Sequence, residues 1–147
     1  MPRFKSVSDV LDFAIAREVE AHDFYVNLAP TVRRPDVRKA VEGLAVDELQ
    51  HRIRLEAIKA NETSFINEEV GSLGVAETLG ETRPHADMAY PELLTLAMQR
   101  EKAAFRLYTN LASIAAKREL RDTLLKLAQE EAHHKLRLEI EYEWEVS

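Results

Sequence analysis

The 147-residue chain contains no cysteine, which excludes disulfides, iron–sulfur clusters, zinc ribbons and any iron held by thiolates. Glycine and proline are scarce, at four and five residues, and aromatics make up only 7% of the chain. That is too little turn and sheet chemistry for an all-β sandwich. Positive charge is not in surplus, with a formal net charge of −6 and a pI ≈ 5.4, so the electrostatic footprint of a nucleic-acid binder is missing. No apolar run is long enough to span a membrane. The opening Met1-Pro2-Arg3-Phe4-Lys5 leads into acidic, helix-patterned sequence rather than the apolar core of a signal peptide. The expectation is a soluble, cytoplasmic protein with neither membrane nor nucleic acid as partner.

What is present is helical. Hydrophobic residues make up 46% and charged ones 31%, a bundle composition, and the length suits one domain over residues 1–147. Four segments carry a period of three and four. In the first, Val10, Leu11, Ala14, Glu18, Ala21, Tyr25 and Leu28 share a stripe, with Ser6 or Ser8 as cap and Pro30 and Pro35 closing it. The second runs from about Asp36 to Ala60 with Val37, Val41, Leu44, Glu48, His51 and Leu55 on one face. The third opens near Pro91 and carries Leu94, Ala97, Glu101, Ala104, Tyr108 and Leu111. The fourth takes Leu120, Leu124, Leu127, Glu131, His134 and Leu138 and continues towards Trp144. Short connections make two antiparallel hairpins. Residues 61–90, with Gly71, Gly74, Gly80 and Pro84 and a short helical piece around Val75–Leu79, form a crossover long enough to traverse a four-helix bundle.

Each stripe is apolar with a polar interruption at its middle, and the interruptions repeat. Glu18, Tyr25, Glu48 and His51 recur 83 positions downstream as Glu101, Tyr108, Glu131 and His134, with one offset for all four pairs. The flanks repeat too: Tyr25-Val26-Asn27-Leu28-Ala29 matches Tyr108-Thr109-Asn110-Leu111-Ala112, and Arg54-Leu55-Glu56 matches Arg137-Leu138-Glu139. A carboxylate on a core-facing stripe is expensive to bury unless its charge is compensated. Residues three apart on a helix face the same way, so Glu48 with His51, and Glu131 with His134, each offer one oxygen and one nitrogen ligand.

The six residues Glu18, Glu48, His51, Glu101, Glu131 and His134 thus make the ligand set of a carboxylate-bridged two-metal site in a bundle core. Glu18 and Glu101 serve one ion each, and Glu48 and Glu131 bridge. Four carboxylates balance two divalent ions. The donor set suits iron, with manganese or zinc as substitutes, better than a closed structural zinc site.

Around this set the readings are less pointed. Tyr25 and Tyr108 lie about 10 Å beyond the lone Glu on the same face, placed to hydrogen-bond a ligand carboxylate of the other half, or else as core aromatics. Asp47 and Glu130 either accept the free ring N–H of a ligand histidine or are solvated acids. His22, one turn past Glu18, has Phe105 as its repeat partner, which favours a core or network histidine over a seventh ligand. His133 matches Gln50 and reads as peripheral, and His85 has no ligand spacing to anything. Trp144 reads as cover for a bundle end or a partner surface.

On these motifs the chain resembles a rubrerythrin-type member of the ferritin-like di-iron superfamily over nearly its full length. The resemblance implies a di-iron oxidoreductase that reduces hydrogen peroxide or dioxygen, with Glu48, Glu131, Tyr25 and Tyr108 closest to the chemistry. It also implies a homodimer. Two departures stand out. The cysteine-free chain lacks a rubredoxin domain, so electrons must come from an external donor protein or a small reductant. The additional Glu that such proteins tend to carry one turn beyond the third-helix ligand is here Ala104, leaving a symmetric six-ligand site more like that of bacterioferritin. Iron binding or ferroxidation without peroxide specificity is the alternative activity.

Overall fold

The computed structural model describes residues 6–61 and 88–147. Among them four α-helices and one short 3-10 turn are the regular elements: α1 (Val7–Leu28), the turn Ala29–Thr31, α2 (Pro35–Lys59), α3 (Tyr90–Ser113) and α4 (Arg118–Val146). The expected helical piece around Val75–Leu79, and His85, lie outside the described residues.

The chain divides into two compact units, Met1–Val70 and Gly71–Ser147. In the first, α1 starts at Ser6, whose hydroxyl accepts from the Asp9 N–H at 3.2 Å, satisfying one of the donors a helix start leaves open. The helix ends in the 3-10 turn, where Thr31 Oγ1 donates to the Leu28 carbonyl. The Arg38 guanidinium then reaches back from α2 to the carbonyls of Pro30 and Val32 at 3.1 Å each. Pro35 occupies the first turn of α2, where its missing N–H costs nothing. The pairing is antiparallel: Lys59 at the end of α2 meets Asp12 near the start of α1, and the His22 ring meets the Ala45 carbonyl midway.

The second unit repeats the design. Glu92 in the first turn of α3 accepts from the Ala89 N–H at 3.0 Å, with Pro91 beside it. Tyr90, at the start of α3, donates to Glu141 near the end of α4 at 3.2 Å, so this hairpin is antiparallel as well. The buried stripes are the expected ones: Val10, Leu11, Ala14 and Leu28 on α1, Val41, Leu44 and Leu55 on α2, Leu94, Ala97 and Leu111 on α3, Leu124, Leu127 and Leu138 on α4. Val37 and Leu120, near helix starts, and Ala21 and Ala104 are only partly buried. Burying a Leu or Val side chain contributes about 1.5–3 kcal/mol, so these stripes supply the bulk of each hairpin's drive to form.

Candidate metal centre

The only charged or imidazole side chains buried among the described residues are Glu18, Glu48, His51, Glu101, Glu131 and His134, none more than 5% exposed. In the first hairpin, Glu18 comes from the middle of α1 and Glu48 and His51 from successive turns of α2. The His51 Nδ1 lies 3.1 Å from Glu18 Oε2 and 3.3 Å from Glu48 Oε1. In the second hairpin the His134 Nδ1 lies 3.5 Å from Glu101 Oε2 and 3.3 Å from Glu131 Oε1. The antiparallel register creates this meeting. It sets the middle of one helix against the middle of the next, so a lone Glu and a Glu-x-x-His converge although they are far apart in sequence.

These spacings test the donor set against a metal. Two ligand atoms each about 2.1 Å from a common ion, at the angles of tetrahedral or octahedral coordination, stand roughly 3.0–3.4 Å apart. The four nitrogen-to-oxygen distances, 3.1, 3.3, 3.5 and 3.3 Å, fit that figure as well as they fit imidazole–carboxylate hydrogen bonds such as that of His51 with Glu18. The electrostatics agree. Leaving several carboxylates in a dry core without cations costs several kcal/mol for each ion, whereas two divalent ions would neutralise four carboxylates and leave the imidazoles neutral. Each hairpin therefore holds a cluster of two carboxylates and one imidazole with the chemistry to hold one metal ion, its donor atoms within 4.8 Å of one another.

The neighbours sort out as follows. Tyr25 and Tyr108 are both buried to 1% exposure, and Phe24 stacks edge-on against Tyr25 with ring centroids 5.3 Å apart. Asp47 and Glu130 are partly buried rather than solvated. His22 is half-buried, and its Nδ1 donates to the Ala45 carbonyl oxygen at 2.8 Å. That contact fixes the ring's orientation and gives it the role of a network histidine. His133 and Trp144 are exposed.

Sequence reasoning passed over Arg17 and Arg100. Each directly precedes a buried lone Glu, each is half-buried, and the two stand at the same repeat offset. Arg17 donates to Glu20 at 2.9 Å and lies 5.2 Å from the centre of the Phe13 ring. The repeat itself was the available signal, since an Arg-Glu pair recurring at a constant offset is as conspicuous as Glu-x-x-His.

Comparison with known proteins places this geometry. The Rubrerythrin family model matches residues 9–142, and the chain belongs to that family. Its fold is the all-α four-helix bundle of the ferritin-like proteins. A Thermotoga maritima protein provisionally described as ferritin-like and diiron-carboxylate has a crystal structure similar to this chain, with a TM-score of 0.75. The two sequences are 22% identical, and the match covers 94% of this chain and 95% of that one. No curated protein matches the sequence. The two clusters of acidic and imidazole side chains are consistent with the di-iron site of the family. No helix among the described residues is long and apolar enough to cross a membrane.

Proposed function

We propose that this chain is a di-iron carboxylate oxidoreductase that reduces hydrogen peroxide, and more slowly dioxygen, with electrons from an external donor protein or a small reductant. The observation that carries the reading is the ligand-like spacing of imidazole and carboxylate atoms, 3.1–3.5 Å, in both hairpins. Family membership supplies the four-helix framework.

In this reading the two hairpins act as one domain. Glu18 and His51 would hold one iron and Glu101 and His134 the other, with Glu48 and Glu131 supplying the remaining carboxylates. A bound ferrous pair supplies two electrons, which with two protons convert one hydrogen peroxide into two waters. The chain's own groups make that possible in four ways. The buried apolar stripes keep water from competing for the site. The Nδ1 atoms face the carboxylates, so in this reading Nε2 carries the ring proton, and Asp47 and Glu130 would be its acceptors. The phenols of Tyr25 and Tyr108 hold ligand carboxylates by hydrogen bonds. Four negative charges set against two neutral rings would balance two divalent ions.

One observation favours the iron-handling alternative. Ala104 stands one turn beyond Glu101, so no further carboxylate is available there, and adjustment to a change in the charge of bound iron would fall to Glu48 and Glu131. The margin of peroxide over oxygen is accordingly expected to be small. The test is anaerobic loading with ferrous iron followed by stopped-flow mixing with peroxide and, separately, with oxygen. Faster oxidation by peroxide supports the proposal. A reduced form inert to peroxide for minutes yet readily oxidised by oxygen would replace it with the ferroxidase reading.

A further inference from the structure

The first hairpin holds a half-buried imidazole that the proposed chemistry leaves unused. Among the described residues His51 and His134 are counted as ligands and His133 is exposed, which leaves His22. It stands one turn beyond Glu18 on α1, and its acceptor, the Ala45 carbonyl at 2.8 Å, stands one turn before Glu48 on α2. Side chains four apart on a helix are neighbours, with about 5–6 Å between their Cβ atoms. The ring therefore lies across the seam between the two helices, one turn from both carboxylates of the first cluster.

Its two nitrogens have different duties. A carbonyl oxygen can only accept, so Nδ1 keeps its hydrogen in either charge state of the ring and the contact holds the ring in place. Nε2 is the atom left to gain and lose a proton, and imidazole can do both near neutral pH. Water is within reach. His22 is only half-buried, and Phe105 at the matching position of α3 is 39% exposed, so this position reaches solvent in both hairpins. Glu18 and Glu48, by contrast, are sealed at 2% and 1% exposure. A proton bound for that pair has to cross from solvent into a dry core, and His22 spans the boundary.

We propose that His22 is a proton-relay residue, passing solvent protons through Nε2 towards Glu18 and Glu48 during turnover. The inference rests on the oxidoreductase reading, which requires protons: one hydrogen peroxide takes two electrons and two protons to give two waters. Nε2–H of the charged ring gives up one of those protons. The ring becomes neutral with Nδ1–H still on the Ala45 carbonyl, and solvent water then returns a proton to Nε2. Nothing on the ring is oxidised or reduced. Phe105 stands in place of the imidazole in the second hairpin, so the relay belongs to the first hairpin alone.

The test uses the iron-loaded, anaerobically reduced full chain, mixed in stopped flow with peroxide and, separately, with oxygen, in ordinary and in heavy water. His22→Gln keeps an N–H able to donate to the Ala45 carbonyl but cannot carry a proton. It should retain wild-type iron content and far-UV circular dichroism yet slow oxidation at least about tenfold, since a positioned proton donor contributes about 10²–10⁴. Its solvent isotope effect should exceed that of the wild type. Added imidazole should restore the variant's rate and leave the wild type's unchanged. His22→Phe should behave in the same way, whereas Phe105→Leu should react at the wild-type rate. A His22→Gln protein that reacts at the wild-type rate in both solvents overturns the relay and leaves the oxidoreductase reading standing. So does a slowed variant with a wild-type isotope effect that imidazole fails to rescue, the mark of a merely structural contact. Loss of iron would make His22 a ligand and overturn the relay as well. A wild type that reacts with oxygen alone removes the peroxide assignment, and the relay is then decided on the oxygen reaction, which also consumes protons. A wild type inert to both oxidants overturns both proposals.

Discussion

Replacing Glu48 by Gln should move the stability of the metal-free and metal-loaded protein in opposite directions. Glu18 and Glu48 are buried to 2% and 1% exposure, and their facing oxygens lie within 4.8 Å of each other. Two unit charges at that distance repel by about 3.5 kcal/mol at an effective dielectric of about 20. Removing one of the two charges should recover a fraction of this, about 2 kcal/mol. For a chain of this size each kcal/mol moves the melting temperature by roughly 2–4 °C, which gives an expected rise of about 4–8 °C in the metal-free variant.

With ferrous iron at about one hundred times its dissociation constant, a single site adds about 2.7 kcal/mol. Wild-type protein should therefore melt roughly 5–10 °C higher per site than without iron. Glu48→Gln should lose most of that increment, because the amide is a poor bridging ligand. Anaerobic calorimetry of both proteins, with and without ferrous iron, gives all four melting temperatures. A variant no more stable than wild type without metal, and equally stabilised by iron, would refute both the repulsion and the ligand role.

Three further outcomes follow from the same geometry. If the phenols hydrogen-bond ligand carboxylates as proposed, Tyr25→Phe and Tyr108→Phe should each slow oxidation of the reduced protein in stopped-flow mixing while leaving iron content unchanged, because such a bond tunes a ligand without supplying one. His22→Phe, which copies the repeat partner Phe105, should retain full iron content by metal analysis, since the ring is committed to the Ala45 carbonyl; loss of one iron would make it a ligand. Leu124→Ala, at a fully buried core position, should cost about 2–5 kcal/mol in urea denaturation, a loss that bound iron offsets only in part.

The six buried polar residues were legible in the sequence because their place on apolar stripes made them anomalous. A Glu at the centre of an apolar stripe announces itself, and four doing so at one offset announce a shared purpose. Helix positions followed from periodicity and from Ser6, Pro35 and Pro91, and Ser6 rather than Ser8 proved to be the cap of α1. The 3-10 turn Ala29–Thr31 escaped, as did the Arg38 clamp on its carbonyls, because backbone acceptors leave no mark in side-chain patterns. For His22 the network role followed from its repeat partner Phe105, while its acceptor, the Ala45 carbonyl, did not. Arg17 and Arg100 were overlooked for a different reason: an arginine on a helix normally reads as a solvated flank, and only the repeat distinguishes these two.

The most direct test of the account is an anaerobic ferrous titration of metal-free protein, followed by metal analysis after removal of loosely bound iron. Six side chains in two matched clusters should take up two irons per chain, with the break in the titration at two equivalents. Protein that keeps its helical spectrum but retains close to no iron after reconstitution would contradict the assignment of Glu18, Glu48, His51, Glu101, Glu131 and His134 as ligands.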